Sequence, residues 1–240
     1  MLCELLGGLR TTTGNPIDRT WHHGTDPVPG LGARIRITTL TCEGSDTVPT
    51  VVMFHSAYGL RPAVLEAAER LREAGHEVHT PDLYDGRTAD TVEEGMAIKD
   101  EIGRDDLLRR AVAATAPLSE RGLVYAGFSL GGAIAQNLAL ADTRARGLLL
   151  LHGTSDIPED ASVDELPVQL HVADPDPFEP HDWLNAWYLR MRRAGAEVEV
   201  HRYAGAGHLY TDPGLPDHDA EAAERTWRIA LDFLAESAER

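Results

Sequence analysis

Apolar positions along this chain fall into short runs separated by glycine, proline and charged clusters. From Thr50, "TVVMFHS" is a continuous apolar run of strand length, while "RPAVLEAAERLREAG" repeats its apolar positions at helical spacing and stops at glycine. The same reading makes "HEVHTPDL" a strand, "DDLLRRAVAATA" a helix, "GLVYAGF" a buried strand and "LGGAIAQNLALA" a helix of small residues. "RGLLLLHG" and "PVQLHVAD" follow as strands, then "HDWLNAWYLRMRRAG" as a helix, "EVEVHRYAG" as a strand and "DHDAEAAERTWRIALDFLAE" as the closing helix. Upstream, "ARIRITTLTC" alternates like a half-exposed strand. Strands alternating with helices imply right-handed crossovers, hence an α/β fold with a mostly parallel sheet covered by helices on both faces.

The first thirty residues carry many Gly, Pro and Thr and no clear period, so the expected organisation is a loosely structured leader over 1–30 and a single α/β domain over 31–240. Forty-two per cent hydrophobic residues suffice for a sizeable core in 240. Composition narrows the partners. A formal charge of -17, with no local cluster of basic residues to offset it, would repel a phosphate backbone, so nucleic acid is not expected. Cys3 and Cys42 match no metal-ligand spacing, and a reducing compartment is the default. With no secretion-like start and no run approaching a membrane span, the expectation is a soluble cytoplasmic protein, monomer or homodimer, acting on a small molecule.

Chemistry enters at "YAGFSLGG". Gly127, Ser129 and Gly131 form G-x-S-x-G between a buried strand and a helix, the setting of a sharp turn that exposes a nucleophilic hydroxyl. A glycine-rich turn that only packs, or that binds phosphate at the helix N-terminus, would use similar residues. A serine needs a base and the base an orienting carboxylate, and in α/β-hydrolases these follow in the order serine, acid, histidine at strand exits. "DPDPFEP" offers Asp174 and Asp176 after one strand, and "AGAGHLY" offers His208 after the next. His171 and His201 read as strand side chains, and His218 as a residue opening the last helix. Of the two aspartates, Asp174 is suited to satisfying local backbone donors, whereas Asp176 is held between Pro175 and Pro177 and is favoured as the acid. The backbone N–H groups of Leu130 and of Ala57, in the loop "FHSAYGLRP", are the expected oxyanion donors. His76 and His79, three apart on a strand, point to opposite faces, so no catalytic metal is expected, nor any cofactor.

These blocks, "VVMFHSAYGL", "HEVHTPDLYDGR", "YAGFSLGGAIAQ", "DPDPFEP" and "YAGAGHLYTDP", resemble the dienelactone hydrolase family of α/β-hydrolases from about Thr50 onward. The resemblance implies Ser129 as nucleophile, Asp176 as acid, His208 as base, and Ala57 and Leu130 as oxyanion donors. The family's founding enzymes carry a cysteine where Ser129 stands and a glutamate in the early loop where Ser56 stands, so ordinary serine esterase chemistry is implied here. Arg87 lies one residue beyond the place of the family's carboxylate-binding arginine. Too few residues separate "LLLLHG" from "PVQLHV" for a large lid domain, so an open pocket flanked by Tyr58, Phe178 and Tyr210 is expected to take small or medium acyl groups. The expected activity is cleavage of carboxylic esters or lactones through an acyl-enzyme. A non-catalytic binding module on the same fold, or an acyltransferase or peptidase using the same three residues, are the competing readings.

Overall fold

A computed structural model of the chain describes residues 49–238, and the structural statements below concern those residues. The 1–30 leader and the strand expected at "ARIRITTLTC" lie outside the described residues.

Six strands, β1 (Thr50–Phe54), β2 (Glu77–His79), β3 (Leu123–Phe128), β4 (Gly147–Leu151), β5 (Pro167–Asp174) and β6 (Glu197–Ala204), form one sheet in the order β2-β1-β3-β4-β5-β6. All five neighbouring pairs are parallel. Strands β1, β3 and β4 are buried along their whole length, which is why their sequences run continuously apolar instead of alternating.

The helices are α1 (Pro62–Glu73), α2 (Val92–Ile102), α3 (Arg104–Thr115), α4 (Leu130–Ala141), α5 (His181–Arg193) and α6 (Ala220–Ala238). Successive strand residues divide between two layers. Val52, Phe54, Tyr125, Leu148 and Leu150 pack with Leu107 of α3, Ile134 of α4 and Trp187 of α5. Their neighbours Val51, Met53, Val124, Leu149 and Leu151 pack with Val64 and Leu71 of α1 and Trp227 and Phe233 of α6. Each fully buried leucine of β4 contributes about 1.5–3 kcal/mol of transfer free energy, so this strand anchors both layers. No described helix is long and apolar enough to cross a membrane.

The element order expected from the apolar pattern is observed over these residues, with two differences. Helix α2 was not anticipated, because "VEEGMAIKDEI" has a weak apolar stripe. It starts at Thr91, whose hydroxyl accepts the Glu94 N–H at 3.2 Å, and Glu94 accepts the Asp90 N–H at 3.0 Å. The T-x-x-E spacing over 91–94 was the available signal. Helix α6 is capped by Asp219, which accepts the N–H groups of Glu221 and Ala222, so His218 precedes the helix and does not cap it.

Candidate active site

The chain leaves β1 toward β2 on one side, then returns across β1 to place β3 on the other side. The loops after β1 and β3 therefore diverge at the crevice where strand order reverses, the place where parallel sheets collect ligand-binding loops. Ala57 lies in the first of these loops and Ser129 in the second.

Ser129 sits at φ 50 and ψ −110, a conformation costly for a residue with a side chain. Its N–H donates to the Leu151 carbonyl at 2.7 Å, tying the turn to the end of β4. The flanking glycines permit the turn by close approach. A Cβ on Gly127 would stand 2.2 Å from the Gly131 carbonyl carbon, and one on Gly131 would stand 2.3 Å from the Phe54 carbonyl oxygen. The start of α4 is thus pressed against the exit of β1, which brings the Leu130 backbone beside the Ala57 loop. Among the described residues, neither the Ala57 nor the Leu130 N–H is donated to a backbone carbonyl. Helix α2 braces this loop from outside: its Gly95 meets the Ala57 carbonyl so closely that a Cβ would lie 2.3 Å from the oxygen. His55 holds the loop from below, its Nδ1 bonding to the Ser56 carbonyl at 2.8 Å and its Nε2 accepting the Leu83 N–H at 3.1 Å.

The structure brings Ser129, His208 and Asp176 together. Ser129 Oγ lies 2.9 Å from His208 Nε2, and His208 Nδ1 lies 2.8 Å and 3.0 Å from the two Asp176 oxygens. A carboxylate can only accept here, so Nδ1 carries the ring proton and Nε2 is free to accept from the serine hydroxyl. Asp176 also accepts the Phe178 N–H at 2.9 Å and is buried. Such an arrangement can deprotonate the serine as it attacks a carbonyl carbon while the carboxylate stabilises the imidazolium that forms. Asp174 does not join it. Its carboxylate faces His181 at 2.7 Å, at the start of α5, rather than the local backbone donors expected from its place at a turn.

The pocket residues separate into those near the triad and those away from it. Phe178 is 56% exposed with its ring 4.5 Å from that of His208, so it walls the triad on the solvent side. Tyr58 remains on the Ala57 loop, half-buried, with Arg61 5.4 Å above its ring. Tyr210 is a correction. Its side chain is 0% exposed, its hydroxyl lies 2.7 Å from Thr226 Oγ1, and its ring packs on His152 and Tyr203, so it anchors the histidine loop from within and does not line a pocket. Arg87 pairs with Glu101 at 2.9 Å and bonds to the Tyr84 carbonyl at 3.4 Å, contacts that hold it to its own loop and to α2.

A residue that sequence reasoning passed over is Glu179. It is buried three positions beyond Asp176 and accepts both the N–H and the hydroxyl of Thr154, at 2.9 Å and 2.7 Å. Trp183 of α5 donates to the same hydroxyl at 2.7 Å. The clamp joins the loop after β4, which underlies Ser129, to the loop that carries Asp176. Burial raises the Glu179 pKa most, the Thr154 bonds oppose that, and the nearby Asp176 charge adds to the rise. No sequence motif announces this pair, since Thr154 and Glu179 are 25 residues apart.

Two buried histidines, His152 beside the His208 ring and His171 on β5, favour the native fold less in acid. His152, at φ 68, is fully buried with Nε2 2.7 Å from Thr211 Oγ1, and burial first, then the neighbouring His208 and His171, depresses its pKa well below the ordinary value. His171, bonded to Tyr203 and Gln169, is lowered to about 3 from 6.5, again chiefly by burial, then by His201 and Arg225. Between about 3 and 6.5 the unfolded chain binds a proton at His171 that the native protein refuses. Their contribution to stability is therefore complete above the unfolded pKa and is lost as the pH falls below it, by about 1.4 kcal/mol per pH unit for each histidine. Urea unfolding at about pH 7.5 and about pH 5 should show a lower midpoint in acid, and the slope should flatten in His171→Gln; equal midpoints at the two pH values would contradict this account.

Residues 37–238 match the profile of the dienelactone hydrolase family. A carboxymethylenebutenolidase from Rhodococcus opacus is 26% identical over 238 residues, spanning 88% of this chain and 87% of that protein. A putative carboxymethylenebutenolidase from Aquifex aeolicus is 23% identical over 201 residues, spanning 78% and 87% respectively. Among solved structures, a dienelactone hydrolase-like promiscuous phosphotriesterase from metagenomic libraries superposes with a TM-score of 0.68 at 25% identity, covering 78% of this chain and 86% of that one. With the matched profile extending over the whole described sheet and all its loops, the chain belongs to the dienelactone hydrolase family of carboxylic-ester and lactone hydrolases.

Proposed function

We propose that this hydrolase cleaves carboxylic esters or lactones of small to medium size through an acyl-enzyme on Ser129, without a cofactor. His208 takes the serine proton as Oγ attacks the carbonyl carbon, then delivers it to the leaving oxygen. Asp176 keeps the imidazole in the tautomer with Nδ1 protonated and stabilises its cationic form. The N–H groups of Ala57 and Leu130 stabilise the oxyanion, a contribution worth about 3–4 kcal/mol per donor in comparable sites. Water activated by His208 releases the acid and restores Ser129. The observation that carries this reading is the unbroken line from Ser129 Oγ through His208 to a buried Asp176 at 2.9 Å and 2.8 Å. The names of the relatives support an ester or lactone as the substrate.

Labelling with a fluorophosphonate, followed by peptide mass spectrometry, tests the reading together with an ester screen. The expected result is one adduct, on Ser129, with loss of ester turnover in proportion to labelling. Folded protein that forms no adduct and turns over no ester would mean a binding module on a hydrolase fold.

A further inference from the structure

The contacts around Ser129 close into a ring. Ser129 Oγ reaches His208, His208 reaches Asp176, and Asp176 accepts the Phe178 N–H. The next residue, Glu179, accepts both the N–H and the hydroxyl of Thr154. Thr154 follows Gly153, which is packed so closely against Ser129 that a Cβ there would stand 2.5 Å from the Ser129 carbonyl oxygen. The Ser129 N–H, bonded to the Leu151 carbonyl, ties the same loop to the serine a second time. One half of the ring carries the reacting groups. The other half, Gly153, Thr154 and Glu179, sets how far His208 and Asp176 stand from Ser129.

Glu179 also brings a second buried carboxylate to the histidine. Burial is the main cause of its raised pKa; among the neighbouring charges, Asp176 adds to the rise and His208 opposes it. By reciprocity, an ionised Glu179 favours the imidazolium that His208 becomes when it takes the serine proton. The other titratable groups around the pair are engaged elsewhere. His152, from the loop after β4, lies 6.3 Å from His208 ring to ring, and burial keeps it neutral. Asp217, from the loop after β6, accepts the Leu209 N–H at 3.3 Å, and His181, at the start of α5, is paired with Asp174.

We propose that Glu179 is a positioning residue of this reaction: clamped to Thr154, it holds Asp176 and His208 in register with Ser129, and its charge helps to stabilise the imidazolium. The proposal rests on the serine acyl-enzyme reading above. Formation and hydrolysis of the acyl-enzyme both pass through His208, so loss of Glu179 falls on kcat and leaves KM nearly unchanged.

Kinetics on a p-nitrophenyl ester test this on the wild type, Glu179→Gln, Thr154→Val and Thr154→Ser, with each rate divided by the sites that a fluorophosphonate labels at completion. Glutamine keeps the clamp, its carbonyl oxygen accepting the Thr154 N–H and its amide donating to the hydroxyl, but removes the charge. Valine keeps the charge and the shape but removes the hydroxyl. Glu179→Gln is expected to lower kcat about tenfold with KM within about twofold, and to move the acid limb of kcat/KM to lower pH because the imidazolium has lost a favourable charge. Thr154→Val is expected to lower kcat about tenfold by loosening the ring, and Thr154→Ser, which keeps the hydroxyl, to recover most of that loss. If Glu179→Gln does not fold, the two Thr154 variants carry the test. A folded Glu179→Gln with wild-type kcat and an unmoved acid limb would overturn the role and leave the Ser129 reading intact. So would a serine variant as slow as the valine variant, or losses that vanish once rates are divided by labelled sites. Absence of both turnover and adduct in the wild type would remove the serine reading, and the role of Glu179 with it.

Discussion

Ser129→Ala is expected to lower ester turnover by roughly 10⁴- to 10⁶-fold, with fold and melting temperature nearly unchanged. The loss is large because the hydroxyl is the only atom of this residue that forms the covalent bond, and neighbouring groups cannot replace it. His208 would then face water in place of Oγ, which its 2.9 Å bond now holds in line. A residual rate above the uncatalysed reaction, roughly 10³-fold in other triads, should persist because the Ala57 and Leu130 N–H groups are untouched. Stability should hold because alanine meets the same backbone strain at φ 50 that serine already bears, and the turn is held by backbone contacts. Steady-state kinetics on a p-nitrophenyl ester beside a thermal melt checks both halves. Turnover within tenfold of the wild type in a folded variant would remove Ser129 as nucleophile.

The second large effect concerns the two aspartates of one loop. Asp176→Asn is expected to cost up to about 10⁴-fold in kcat, whereas Asp174→Asn should cost less than about tenfold. An asparagine at 176 can keep the Phe178 N–H bond through its carbonyl oxygen, so the loop survives. Its amide nevertheless favours the tautomer with the proton on Nε2, which cannot accept from Ser129, and it leaves the imidazolium without a countercharge. Asp174 faces His181 on a partly exposed pair, so its replacement affects mainly the junction between β5 and α5. Kinetics of both variants alongside circular dichroism decides the matter, and the reverse order of losses in two folded proteins would make Asp174 the acid.

The contrast between these aspartates also marks what could be read along the chain. Flanking prolines pointed to Asp176, but the partner that occupies Asp174, His181, came from a helix start seven residues on and was not apparent in the sequence. His218 was read as opening the last helix because it lies near its beginning, yet the cap belongs to Asp219, a distinction set by which carboxylate reaches two N–H groups. Tyr210 was expected at a pocket wall because it lies two residues from His208. Its ring instead turns inward onto His152, 58 residues upstream, where burial of the ring and a bond to Thr226 stabilise it more than exposure would.

The sequence by itself determined the order of strands and helices from β1 onward, helix α2 excepted, and the tight turn at Ser129. Those features depend on short-range physics: apolar runs long enough to be buried on both faces, helical spacing, and glycines flanking a serine where a Cβ would collide with backbone. Tertiary structure decided the rest. Only the sheet order, with β1 beside β3, brings the Ala57 loop against the start of α4. Only the adjacency of the β4 and β5 loops lets Glu179 grip Thr154. In each case the partner lies some twenty or more residues away, so local periodicity carries no information about it, and the contact exists because parallel crossovers place distant strand exits side by side.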